Sequence, residues 1–140
     1  TSNVLCAHDG SFAAGLLESL CQVAVDRVPS LLIAYDTDYP EPLRAVRPIV
    51  DAFGVAFVFA PDASERTLAR IDVQLTDAPA TTLANRELDA LRTGNPAARA
   101  LPLLDALAAR RATRVVLDYL EDTRVQVDIA LPDVAAEHAR

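Results

Sequence analysis

Residues 12 to 27 constrain this chain more than any other stretch. They run without proline and carry Phe12, Leu16, Leu17, Leu20, Val23 and Ala24 at helical spacing. Ala13, Ala14 and Gly15 leave room for a second backbone to approach closely. Only Glu18, Ser19, Gln22 and Asp26 offer a polar face. A helix that is apolar on more than one face has to be covered on more than one face. The spacing therefore predicts a nearly buried helix, and the rest of the chain has to supply its cover. Either Ser11 or Asp9 could accept from the free amides of its first turn.

The flanking segments suit that task. Residues 3 to 7 form a short apolar run that reads as a strand, ending in the polar cluster Ala7-His8-Asp9-Gly10-Ser11. Leu31 to Tyr35 is continuously apolar, as in a strand covered on both faces. Pro40, Pro42 and Pro48 make residues 36 to 48 a loop. Residues 51 to 60 alternate Phe53, Val55, Phe57 and Phe59 with small residues. Residues 67 to 75 alternate less regularly and read as a half-exposed strand paired with their predecessor. Asn85 to Arg92 forms a short helix closed by Gly94-Asn95-Pro96, and Ala97 to Arg110 a longer one with Leu101, Leu104 and Leu107 on one stripe. Arg114 to Leu120 and Arg124 to Leu131 form a terminal hairpin around Glu121-Asp122-Thr123. The expectation is an α/β domain in which six strands share one mixed sheet and helices pack on it, followed by a polar tail over residues 132 to 140.

Composition narrows the chemistry. The 140 residues include 13 basic side chains, all arginine, against 20 acidic ones, for a formal charge of −7. A chain without lysine has neither a P-loop nor a Schiff-base amine. An acidic chain without a basic stripe is poorly suited to nucleic acid or to an anionic membrane surface. No apolar run approaches the roughly 20 residues that span a bilayer, and no charged-then-apolar N-terminal segment suggests a secretory leader. Cys6 and Cys21 are too few for a disulfide framework. They read as reduced thiols of a cytoplasmic protein, with Cys21 a packing residue on its helix.

Candidate chemistry concentrates where the first strand turns into the buried helix. Cys6 in that elbow is a candidate nucleophile and His8 a candidate proton acceptor, two residues apart and on one face of an extended strand. A thiol buried for packing, followed by an ordinary turn, accounts for the same residues. Ser11, His8 and Asp9 hold the residue types of a hydrolytic triad. Their adjacency argues against one, because triad members converge from separate segments. The acidic loop Asp36-Thr37-Asp38-Tyr39-Pro40-Glu41 lacks the glycine and bidentate glutamate of an EF-hand. Two cysteines and two histidines at these spacings make no zinc site, and the residues call for no cofactor. His138 reads as a solvent-exposed tail residue.

Gly10-Ser11-Phe12-Ala13-Ala14-Gly15-Leu16-Leu17-Glu18-Ser19-Leu20, followed by Leu32-Ile33-Ala34-Tyr35-Asp36 and Pro40-Glu41-Pro42, resembles the β-ketoacyl synthase-like proteins of bacterial aryl-polyene and xanthomonadin-type pigment clusters. These are often described as chain-length-factor-like. Phe53 to Pro61 and Asn95 to Leu104 fit the same family in the same order. The resemblance extends over residues 3 to 131. It implies a thiolase-like half domain over residues 1 to 131, of a family whose members are longer and carry a further segment before the position of Thr1. It also implies a cytoplasmic acyltransferase-family subunit of fatty-acid or polyketide elongation. Its partners would be an acyl carrier protein and a catalytic ketoacyl synthase, or a second copy of itself.

In that family the strand before the buried helix ends at the nucleophilic cysteine. A gapless match puts that position near Ala7 or His8, and a one-residue shift puts it on Cys6. The histidine and lysine that assist decarboxylation lie outside this stretch. The resemblance thus favours a non-catalytic chain-length-factor-type subunit, inactive alone. An active 3-oxoacyl synthase with Cys6 as acyl acceptor, and a scaffold domain without acyl chemistry, both stay open.

Overall fold

The computed structural model describes residues 2–132. The polar tail from residue 133 onward, with His138, lies outside the described residues.

Helix α1, Ser11–Asp26, occupies the predicted place. Phe12, Ala13, Gly15, Leu16, Ser19 and Val23 are buried, so the helix is covered over most of its length. One side of its C-terminal half reaches solvent, where Cys21 and Val25 are exposed. Cys21 is therefore not the packing residue expected from its helical position. The helix stops at Arg27, which adopts a left-handed conformation (φ 56°) and donates its amide to the Val23 carbonyl. Pro29 prevents continuation.

Strands β1, Ser30–Asp36, and β2, Phe53–Phe59, pair antiparallel with Leu32 opposite Phe57 and Ala34 opposite Val55. Between them lies the proline-rich loop with one short helix, α2, Leu43–Val46. Strand β3, Arg70–Thr76, does not pair with β2 as its alternation had suggested. It pairs with β5, Arg124–Ala130, whose other edge carries β4, Thr113–Leu117. The terminal hairpin β4–β5 is as expected. The single mixed sheet is not: the described residues hold a two-stranded sheet β1–β2 and a three-stranded sheet in the order β3–β5–β4, both antiparallel. Residues 3 to 7 are not a strand. Val4 is 97% exposed, and an apolar run without a neighbouring strand has nothing to hydrogen-bond its backbone.

Helix α3, Arg86–Gly94, starts at Asn85, whose side chain accepts from the amides of Glu87 and Leu88. A 3-10 turn, Ala97–Ala100, leads into α4, Leu101–Ala108, with Pro102 in the first turn where its missing amide costs nothing. One continuous apolar cluster takes in Phe12, Ala13 and Leu16 of α1, Leu103 and Ala106 of α4, and Val115, Leu117, Val125, Val127 and Ile129 of β4 and β5. Leu32, Val55 and Phe57 of the smaller sheet pack against it. Both sheets thus cover α1, as its sequence required. Among the described residues no helix is long and apolar enough to cross a membrane.

Candidate functional site

The entry to α1 is a 3-10 turn, His8–Gly10. Its conformation is set locally. Gly10 donates its amide to the Ala7 carbonyl. Ser11 Oγ donates to the His8 carbonyl at 2.7 Å and accepts from the Ala7 amide at 3.0 Å. Ser11 thus ties the turn behind it and, like Asp9, does not accept from the helix amides. His8 sits at φ 52°, a left-handed conformation uncommon for a residue with a side chain. Gly10 lies against β4's continuation, and a Cβ there would overlap the Tyr119 carbonyl oxygen. Only glycine allows that approach.

This geometry separates the two candidate residues from their expected arrangement. Without a strand at residues 3 to 7, Cys6 and His8 do not share a strand face. Cys6 is exposed, and among the described residues no hydrogen bond joins its sulfur to His8. The His8 side chain is 74% exposed, with Nδ1 3.5 Å from Asp9 Oδ1. The Tyr39 phenol is raised above the usual tyrosine value, first by burial, then by the Asp36 carboxylate, against the opposing pull of Arg47. Its hydroxyl donates to Asp36 Oδ1 at 3.4 Å.

The strongest electrostatic feature is one the sequence reading did not single out. Asp9 pairs with Arg47 and lies 3.5 Å from Arg99 Nη2. Arg99 Nη1 reaches Asp118 at 2.8 Å. Asp118 also accepts from Arg92 Nη1 at 2.8 Å, and Arg92 Nε donates to Asp89 at 2.7 Å. Three arginines and three aspartates thus alternate along one path through the elbow, the end of α2, the 3-10 turn, the β4–β5 connection and α3. Arg92 and Arg99 are mostly buried, at 7% and 15% side-chain exposure. The hydrogen bond from Arg92, and then the one from the Leu83 amide, hold the Asp89 carboxyl below its usual range. Arg99 Nε is buried without an acceptor among the described residues. The i,i+3 spacing of Asp89 and Arg92 was visible in the sequence, but nothing local points to Asp118.

Two clefts flank the elbow. One of about 590 Å³ lies between the 3-10 turn and the β4–β5 connection, lined by His8, Asp9, Arg99, Asp118, Tyr119 and Arg124 among others. A smaller one of about 240 Å³ lies between His8, Asp9, Arg47 and the Gly94-Asn95-Pro96 turn. Asn95 is 1% exposed and braces that turn. Its amide donates to the Asp51 carbonyl at 2.8 Å, and its oxygen accepts from the Ala98 amide at 3.1 Å. Asp36 Oδ2 accepts from the Ala97 amide at 3.0 Å. Among the described residues no group of histidine, cysteine and carboxylate side chains is arranged to hold a metal ion.

Comparison of the chain with family models, with curated proteins and with solved structures finds no match.

Proposed function

We propose that this chain belongs to a β-ketoacyl synthase-like subunit of the chain-length-factor type, a non-catalytic partner in fatty-acid or aryl-polyene chain elongation. In this reading residues 1 to 131 belong to a thiolase-like half. The subunit packs against a catalytic ketoacyl synthase in the cytoplasm, and acyl carrier protein delivers the growing chain.

The observation that carries the reading is the elbow. A turn packed at Gly10 against the Tyr119 backbone feeds directly into the buried helix α1 and opens onto a cleft, at the point where the resembling family keeps its acyl site. The non-catalytic part of the reading rests on Cys6. Its thiol is exposed and precedes Ser11 by a full 3-10 turn, and the helix dipole fades within about one turn of the helix end. His8 is engaged beside Asp9 rather than beside the thiol. Among the described residues no hydrogen bond ties a base to the thiol, so nothing is placed to take its proton as it attacks a thioester.

The test is incubation with acyl-loaded carrier protein followed by intact-protein mass spectrometry, with Cys6→Ala alongside, together with co-purification against a ketoacyl synthase. The expected result is complex formation with the synthase and no acyl adduct on this chain. Stoichiometric acylation that disappears in Cys6→Ala would make the protein an active 3-oxoacyl synthase with Cys6 as acyl acceptor. Failure to bind both the synthase and the carrier protein would leave a scaffold domain without acyl chemistry.

A further inference from the structure

Strands β1 and β2 are joined by far more chain than their pairing needs. Antiparallel neighbours connect through about 2–5 residues, and a loop longer than about 12 residues usually has a task of its own. Here residues 37–52 make the connection, although Asp36 and Phe53 already stand opposite each other in the register. Both ends of the excursion are fastened to one turn. The Asn95 side chain holds the Asp51 carbonyl, and the Val50 amide donates to the Gly94 carbonyl at 3.1 Å. At the other end Asp36 Oδ2 accepts from the Ala97 amide. Val50 also seats a methyl against Gly94, where a Cβ would overlap its Cγ2.

The stretch between these ends is held differently. No residue from 37 to 49 is buried, and only Tyr39, Arg47 and Ile49 are half-buried. Leu43 and Val46 of α2 are exposed. Internal bonds give the stretch a shape of its own. Arg44 pairs with Asp38 at 3.1 Å and donates its amide to the Pro40 carbonyl at 3.2 Å. The Arg47 amide donates to the Leu43 carbonyl at 2.9 Å. Pro40, Pro42 and Pro48 fix their own φ angles and stiffen it further. Its hold on the rest of the molecule is slight. Apart from the Tyr39 hydroxyl on Asp36, at its own anchor, Arg47–Asp9 is the only hydrogen bond or ion pair that leaves residues 37–49 among the described residues. Between Val46 to Ile49 on one side and His8, Asp9 and the Gly94-Asn95-Pro96 turn on the other lies the cleft of about 240 Å³. The stretch is propped off the body rather than packed on it.

We propose that residues 37–49 form a strap that swings about its two fastened ends, with Arg47–Asp9 as its latch and the cleft beside His8 and Asp9 opened on release. A segment that is stiff within itself, poor in buried apolar contacts and firm at its ends has the build of a hinged element. The latch is suited to letting go. Asp9 is 48% and Arg47 25% exposed at the side chain, so water and salt both weaken the pair. Asp9 is not left without a cation on release, because Arg99 Nη2 lies 3.5 Å away. The inference does not rest on the acyl-chain reading.

The test is amide nitrogen relaxation dispersion by NMR on the chain and on Arg47→Ala, each at low and high salt. This reads exchange on the microsecond-to-millisecond scale of lid and hinge motions. A neutral gadolinium chelate added to the same samples reads solvent access to the amides of Asp9 and Asn95. The expected result is one shared exchange rate for the amides between residues 38 and 47, with Asp36, Asp51 and Phe53 quiet. The open population rises at least about threefold in Arg47→Ala, and rises with salt in the native chain but not in the variant. Broadening by the chelate at Asp9 and Asn95 rises with it. Strap amides that show no exchange in either protein overturn the proposal, as does exchange that ignores both the substitution and salt. Unrelated rates from residue to residue, the mark of a fraying loop, also overturn it. So does an exchange that leaves Asp9 and Asn95 no more accessible to the chelate.

Discussion

Replacing Asp118 by alanine tests whether the ion-pair path through the elbow holds the fold together. Asp118 is the only carboxylate within bonding distance of both Arg92 and Arg99 among the described residues, at 2.8 Å from each. Removing one partner of a buried ion pair costs about 3–5 kcal/mol, because the charge left behind has lost water as well as its counter-ion. Two features reduce that figure here. Asp118 is itself 27% exposed. Each arginine also keeps a second carboxylate, Asp89 for Arg92 and the more distant Asp9 for Arg99. The expected loss is about 2–3 kcal/mol in urea denaturation at unchanged m-value. For a domain of this size that lowers the melting temperature by roughly 5–10 °C. Asp105→Ala is the control. Its pair with Arg111 is more than half exposed on both sides and should change stability by less than about 0.5 kcal/mol. An Asp118→Ala loss no larger than that of Asp105→Ala would refute the reasoning. It would mean that water reaches both guanidiniums and that the path is a surface decoration.

Gly10→Ala should destabilise by about 1–3 kcal/mol in the same assay, since the new methyl overlaps a backbone carbonyl that cannot rotate away. Tyr39 should titrate above the ordinary tyrosine value of 10.0 in an ultraviolet pH titration, and Tyr39→Phe should remove that late component from the curve. Arg92 and the Leu83 amide lower the Asp89 carboxyl, and Arg114 and Gln126 lower that of Asp128, both below 3.8. Such groups stabilise the fold above the unfolded carboxylate value and lose that effect as pH falls through the folded one. The urea midpoint should therefore hold down to about pH 4 and drop below it, less steeply in Asp128→Asn.

How far the fold was legible depends on how local its causes are. Helix α1 could be read because the spacing and small residues of Phe12 to Ala24 already demand cover. The hairpin β4–β5 could be read because its turn and both alternating strands lie within one short stretch. Two elements failed for the opposite reason. Residues 3 to 7 have a strand's composition, but a strand exists only beside a partner, and none lies beside them among the described residues. Residues 70 to 76 alternate as a strand should, yet their partner is β5, far along the chain, rather than the neighbouring β2. Alternation specifies which face is buried and leaves the choice of partner open. Leu31 to Tyr35 read as a strand covered on both faces, yet Leu31, Ile33 and Tyr35 are exposed, because continuous apolarity does not say which face of the strand meets the core.

The site divides in the same way. The elbow was located from its neighbours in sequence, because a polar cluster before a buried helix must turn, and Gly10 permits the turn. What holds the elbow was not visible there. Asp9 is gripped by Arg47 from the proline-rich loop and lies beside Arg99 from the turn after α3, two segments with no sequence relation to each other or to the elbow. An arginine-only set of cations suits such a network, since each guanidinium can bind two carboxylates at once, as Arg92 and Arg99 both do. The consequence is that the left-handed His8 and the turn behind Cys6 are set by distant arginines as well as by Ser11. A change at Arg47 or Arg99 should therefore alter the reactivity of the Cys6 thiol without touching it. Thiol alkylation rates in Arg47→Ala and wild type, measured under folded conditions, would show that coupling as a rate difference. Equal rates would mean that Ser11 and Gly10 alone shape the elbow.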